Sequence, residues 1–365
     1  MFDDADVRLL DLAPTESDKK IYDDNPIMLR KYKSKINSLA RKSAKLKNCL
    51  YCNTSVDGMC NSHTIPKFCL KNIAVDGKVL GFQNVLKTPG DNDDIGLNEA
   101  CTFHVLCRKC DSTIFQLYEN PETYSKAPDC RVLAQIAAKN HLLEISKCLE
   151  SIQIFDPNNP IIDSENYWFE VFYDMAKADL NDHMRDFEIA KSILTNDTDD
   201  KYNLILYKKL DFVVPVAAQC CFAMICGFDT TVVNNVYDFH PHNSMQFLHI
   251  AIFPLKAQSI VLAFTLCRNY KYRKFIRSFR LMQESDQLSV INYLVFLYTE
   301  NFLLSKKIPL SIIEDKEFVK ICARSGVAIS NVPDFNSLKA SLEYFNLSNH
   351  LSIQNLLALK IETNQ

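Results

Sequence analysis

Charge of one sign is the first thing this chain lacks: 41 Lys and Arg stand against 44 Asp and Glu, a net −3 over 365 residues. Whole-molecule charge therefore gives no argument for nucleic acid, and any basic surface has to be local. Glycine is scarce, at 7 residues in a sequence rich in Lys, Ile and Asn, a composition of the kind found in AT-rich bacterial or phage genomes. No internal repeat and no low-complexity tract is present. Long apolar runs are missing as well. The nearest approach, 212–228, contains Pro215 and Gln219 and has no flanking basic loop, which argues against a membrane span. The opening Met-Phe-Asp-Asp-Ala-Asp is acidic, the reverse of a secretory n-region. The expected compartment is thus a reducing cytosol, with the 14 cysteines unpaired and several of them, such as Cys220, Cys221 and Cys226, acting as small hydrophobes.

What the chain does have is core material: 47% apolar residues, with 23 Phe and 15 Tyr, enough for two domains or one larger one. Residues 1–25 are polar and acidic. The stretch 30–47 then places eight basic residues in eighteen positions with no acidic residue among them, and Leu29, Ile36, Leu39 and Leu46 fall near helical spacing. This reads either as a solvated face leading onward or as a phosphate-contacting helix that includes Lys42 and Lys45. Segment 76–98, with Asp-Gly, Pro-Gly and Asp-Asn-Asp-Asp, reads as an inserted hairpin and acidic loop. Asp91, Asp93 and Asp94 there could hold a hard cation, but a solvated turn is the simpler reading.

The pattern from Val132 to Ile154 is helical and is stopped by Asp156-Pro-Asn-Asn-Pro160; 165–195 reads as one or two more helices. After the polar break 196–200 the period changes. Leu210–Ile225, Thr230–Tyr237, Phe247–Phe253 and Ser259–Leu266 read as strands, then Arg273–Met282 and Gln287–Leu304 as helices.

One segment reads as chemistry. Cys49-Leu-Tyr-Cys52 and Cys107-Arg-Lys-Cys110 bracket Ser62-His63-Thr64-Ile65-Pro66-Lys67, and Asp111 follows the second pair at once. Two C-x-x-C knuckles supply four thiolates, which suits a closed tetrahedral zinc site of treble-clef type, the first pair on a knuckle and the second opening a helix. Cys49, Cys52, Cys60 and His63 form a competing ligand set that would leave the second pair unemployed.

Over 48–120, about a fifth of the chain, the arrangement resembles the HNH (ββα-metal) endonuclease superfamily in its four-cysteine form, in a Ser-His-x-Ile-Pro-Lys variant known from poorly characterised bacterial proteins. The resemblance implies that His63 is the general base and Asp111 a ligand of a catalytic Mg or Mn ion, beside a structural zinc. It also implies DNA as the favoured partner and a role in anti-phage defence. Two positions depart from the family: Ser62 stands where Asp or Glu is usual before the base, and Thr102 where an Asn orients it. His104, two residues on, is the candidate substitute for either role.

In the second half, Asp238-x-His240-x-His242 would share one face if it lay on a strand, although an exposed polar loop is the default. Cys220-Cys221 is flanked by apolar residues and reads as buried strand. Segment 268–280 interleaves six basic residues with Tyr270, Tyr272, Phe275 and Phe279. Arg273, Lys274, Arg277 and Arg280 are candidate phosphate contacts on one helical face, with the aromatics turned either to core or to bases.

The expected fold class is α+β, a zinc-stapled ββα (treble-clef) module followed by a mixed helical and antiparallel-sheet domain. Its expected parts are an acidic arm and basic helix (1–47), the zinc module (48–125), a helical connector (126–200) and a recognition or sensor domain (201–365). Two functions fit: an HNH-like nucleic-acid phosphodiesterase, or a non-catalytic zinc-stapled adaptor that binds nucleic acid or protein and responds to a partner or trigger. His63 and Asp111 favour the first, Ser62 and Thr102 the second.

Overall fold

In the computed structural model, residues 26–86, 94–158, 167–196, 201–238, 240, 242–327 and 335–361 are described. Helix α1 (Pro26–Ser43) comes first. Short pieces follow: β1 (Ser62–His63), α2 (Lys67–Ile73), β2 (Lys78–Val79), α3 (Phe82–Leu86), β3 (Ile95–Gly96), β4 (Thr102–Phe103) and α4 (Arg108–Ile114). Two long helices, α5 (Cys130–Phe155) and α6 (Tyr167–Asn196), lead to β5 (Tyr202–Leu210), β6 (Val216–Phe222), β7 (Leu248–Pro254) and β8 (Ser259–Leu266). Then come α7 (Arg273–Arg280), α8 (Glu284–Tyr298), β9 (Phe302–Leu304), α9 (Leu310–Ile313), α10 (Lys316–Val327) and α11 (Phe335–Tyr344). The chain is mixed α+β with antiparallel sheets, and among the described residues no helix is long and apolar enough to cross a membrane.

Strands β5-β8-β7-β6-β9, in that order, form one antiparallel sheet. Every residue of β6, β7 and β8 is buried, so these strands are mostly apolar at successive positions instead of alternating, because both faces are covered, with Gln219, His249, Ser259 and Thr265 as buried polar exceptions. One face, with Val216, Ala218, Ile250, Ile252 and Val261, shares a core with α7, α8 and α10. The other, with Ala217, Phe253, Leu262 and Phe264, shares a core with α5 and the cysteine-rich segment.

Helix α5 is the spine. Asp129 caps it by accepting from the Val132 amide at 2.9 Å, and from Val132 to Leu143 every residue is buried, including Gln135, Lys139, Asn140 and His141. Each of the first three bonds to a different neighbour. The Gln135 carbonyl accepts from the Tyr118 amide, Lys139 reaches Asp111, and Asn140 donates to the Cys220 carbonyl.

The segment expected as a hairpin does pair its ends, with Lys78 opposite Gly96, and just before it Asp76 and Gly77, with φ of 52° and 70°, make the tight turn that bridges Val75 and Lys78. Just beyond it, Leu80 and Leu304 exchange backbone hydrogen bonds of 2.9 and 2.8 Å, tying the hairpin to the sheet edge. A Cβ on Gly81 would lie 2.5 Å from Ile95 Cδ1, so a larger residue there would displace the tip of that side chain. Asp91 and Asp93 lie outside the described residues, and Asp94 pairs with Lys306 at 2.6 Å.

Three expectations need correction. The strand expected at Leu210–Ile225 is split. β5 ends at Leu210 and β6 opens only at Val216, after Pro215, which lacks a ladder donor. Thr230–Tyr237 is loop with a single bridge, Cys226 to Val232, and the Asn234 side chain does the work of a ladder by donating to Met224 and Gln246 carbonyls and accepting from the Gln246 amide. The helix expected at Gln287–Leu304 stops at Tyr298, and Phe302–Leu304 leaves it to pair with β6.

Phe253 is fully buried, with the rings of Tyr118 and Tyr124 at 6.4 and 5.2 Å, where the cysteine-rich segment meets the sheet. Phe253→Ala should cost about 3–5 kcal/mol, read as a lower urea midpoint at unchanged slope.

Candidate metal centre and cleft

Cys49, Cys52, Cys107 and Cys110 converge, with all four sulfurs within 4.8 Å of one another. Cys52 Sγ and Cys107 Sγ are 3.9 Å apart. A tetrahedral ion with thiolates at about 2.3 Å needs sulfurs separated by about 3.8 Å, so the donor set fits a metal ion. Backbone amides aim at the sulfurs: Cys107 N–H donates to Cys49 Sγ at 3.2 Å, and Cys110 N–H to Cys107 Sγ at 3.4 Å, where Cys107 caps α4. Hydrogen bonds from Thr54 pull the Cys52 thiol down to about 6, while burial and the adjacent sulfurs push Cys110 up. Crowded sulfurs that resist joint ionisation are what a cation relieves. Cys60 and His63 stand outside this group: Cys60 Sγ meets Ser62 Oγ at 3.4 Å.

His63 lies half-buried on β1, which pairs antiparallel with β4 and places His63 opposite Thr102. Its Nε2–H donates to the Leu97 carbonyl at 2.9 Å, so in the neutral ring Nδ1 carries the lone pair. Burial holds His63 below the ordinary imidazole range, outweighing that hydrogen bond. Thr102, at the position where the resemblance expects an orienting Asn, donates to the Glu99 carbonyl instead, so the Leu97 carbonyl orients the imidazole.

Asp111 is engaged differently from what the resemblance implies. Its Oδ1 accepts from Ser62 Oγ at 2.7 Å and from Lys139 Nζ at 2.6 Å. Lys139 is fully buried, 3.5 Å from Glu119 and 4.4 Å from the centroid of Phe115. His104 is exposed just beyond β4. The sequence reading missed Lys139. Its signal was a Lys-Asn-His triplet at 139–141 in an otherwise apolar helical run.

Lys42 and Lys45 are exposed at and just after the end of α1. On α7, Arg273, Lys274, Arg277 and Arg280 are exposed while Phe275 and Phe279 are buried in the core. Lys274 pairs with Asp229, and Arg280 donates to Asn203 Oδ1 and the Leu204 carbonyl, both at 3.2 Å. Asp238, His240 and His242 sit in exposed loop and not on a strand, with Asp238 Oδ1 accepting from the His240 amide.

A cleft of about 830 Å³ opens between α5, α6, the end of β6 and the loop before β7. Glu144, Lys147, Asp179 and Asp182 line its walls. Asp179, open to the cleft yet surrounded by protein, is pushed up to about 7, by desolvation first and then by Asp182 and Glu144. At its floor His183 and Cys221 meet His141, the second group among the described residues able to hold a metal. Against known family models, curated proteins and solved structures, the chain shows no match.

If the Lys139–Asp111 pair is structural, Asp111→Ala should cost about 3–5 kcal/mol, and adding Lys139→Met should restore much of it. Urea titrations of the single and double variants measure this; a single variant as stable as the parent would mean that the pair contributes nothing. For His63, the unfolded chain takes up a proton near pH 6.5 that the folded chain refuses until lower pH. Stability should therefore fall on acidification through that window, and the NMR titration midpoint of His63 should lie below about 6.5.

Proposed function

We propose that the chain is a zinc-stapled nucleic-acid-binding protein, in which a treble-clef ββα module docks on phosphate without metal-dependent cleavage. The observation that carries this reading is the Lys139 ammonium 2.6 Å from Asp111. A divalent ion on that carboxylate would share it with a fixed positive charge, and repulsion at this range in a desolvated site is worth several kcal/mol. Ser62, in the position of a second carboxylate ligand, adds no charge to offset it.

Four thiolates favour zinc over harder ions, and a closed tetrathiolate set leaves zinc no reactive position. Its role here is to hold Cys49 and Cys107 together. That ties together the segments that carry Lys47, two residues before the first pair, and Arg108 and Lys109, within the second. With Lys42 and Lys45 at and just after the end of α1, these exposed cations are the basic patch that this reading assigns on a chain of net charge −3. Such a local patch suits backbone phosphates, with DNA the first probe.

A second reading, the HNH-like nuclease, is favoured by one observation: the His63 ring is held in a tautomer whose Nδ1 could accept a proton.

Fluorescence anisotropy with a labelled duplex separates the two. Affinity should fall steeply between about 50 and 200 mM salt, and changing Lys45, Lys47, Arg108 and Lys109 to Glu should weaken it at least about tenfold and flatten the slope. Plasmid and single-stranded substrates should survive incubation with Mg or Mn. Absent binding at low salt would overturn the proposal. Cleavage that needs Mn and disappears in His63→Ala would replace it with the nuclease reading.

A further inference from the structure

Away from the four cysteines, three side chains from three elements meet behind the cleft: His141 of α5, His183 of α6 and Cys221 of β6, all buried. His141 Nδ1 lies 3.0 Å from His183 Nδ1 and 3.7 Å from Cys221 Sγ. We propose that His141, His183 and Cys221 bind a second transition-metal ion, with one coordination position left open to the cleft.

The distances suit such an ion before it arrives. With metal–nitrogen bonds of about 2.0–2.1 Å and a metal–sulfur bond of about 2.3 Å, tetrahedral geometry separates two nitrogens by about 3.3 Å and nitrogen from sulfur by about 3.6 Å. A plain hydrogen bond between two neutral imidazoles accounts for the 3.0 Å contact and nothing more. It leaves the Cys221 sulfur converging on the same nitrogen; the buried His141 Nε2 has no hydrogen-bond partner in either case and so keeps its proton, leaving Nδ1 as the donor atom. No carbonyl or carboxylate holds the His141 ring, whose Nδ1 contacts are the other two members of the cluster. His249, 5.1 Å from His141 by ring centroid, is different: its Nδ1 already meets Asn140 Nδ2 at 3.2 Å, which keeps it out of the donor set.

Aromatic packing holds the imidazoles in place. Phe247 stacks on His183 at 4.5 Å and meets His141 edge-on at 5.4 Å. Two imidazoles and a thiolate select zinc, cobalt or copper over magnesium and calcium. Three protein ligands leave one position, and since His183 and Cys221 line the cleft, that position faces it. The cleft wall carries Glu144, Asp179 and Asp182. These carboxylates favour a cation at the floor and a metal-bound water whose protons they can accept, over a free anion. This site is independent of the nucleic-acid reading, because it uses none of the residues around Asp111 or the four cysteines.

Cobalt is the probe. The full chain, stripped and reloaded with Co²⁺, should take up about two equivalents, one with the intense charge-transfer absorption of a tetrathiolate and one with that of a single thiolate. Added cyanide should alter the second spectrum alone, since only that ion has an open position. Cys221→Ser should lose about one equivalent and its band while the tetrathiolate spectrum persists. If that variant fails to fold by circular dichroism, the wild-type stoichiometry and the cyanide response decide. Saturation of the folded wild-type chain at one tetrathiolate ion, or a folded Cys221→Ser that keeps both, overturns the proposal.

Discussion

An ammonium group with no solvent exposure sits between helix α5 and the cysteine-rich segment, and the arrangement of both depends on it. Isolated, a buried charge of this kind costs several kcal/mol. Lys139 avoids that cost only where Asp111, Glu119 and the Phe115 ring converge on it, so α4 and the chain that follows it have one permitted position against α5. Neighbouring polar groups on the same helix impose the same condition elsewhere. Gln135 accepts from the Tyr118 amide, and Asn140 donates to the Cys220 carbonyl and to His249 Nδ1, which sets the helix against the sheet. Apolar burial supplies most of the driving force, but it is non-directional; these few polar contacts decide how the pieces meet.

That same ion pair bears on the chemistry. A carboxylate one position after a cysteine pair, near a histidine in a turn, matches a metal-assisted site only if the carboxylate is free to take a metal. Here a lysine from 28 residues further along occupies it. A divalent ion bound there would have to share the carboxylate with that buried ammonium.

The two candidate metal centres differ in what they can do. Four sulfurs close around an ion and leave it as a staple, joining Cys49 and Cys52 to the start of α4. Two nitrogens and one sulfur at the floor of a cleft leave a position for an exogenous ligand. The cleft also collects the carboxylates of Glu144, Asp179 and Asp182, so charged groups are concentrated where a ligand could reach them.

Much of this was legible in the order of residues. The paired cysteines at C-x-x-C spacing, the helical run after Asp129 and the apolar runs of β6, β7 and β8 each declare themselves within a few positions, because ligand spacing and hydrophobic period are local properties. Phe302–Leu304 was not legible as a strand, since its pairing partner lies at Val216–Ala218. Neither was the loop at 230–237, where one asparagine side chain takes over the ladder. The Lys139–Asp111 pair and the meeting of His141, His183 and Cys221, separated by 42 and 80 residues, were decided by tertiary packing alone. Sequence determines which side chains are costly to bury unpaired; only the folded chain, by bringing distant segments together, determines which partners satisfy them.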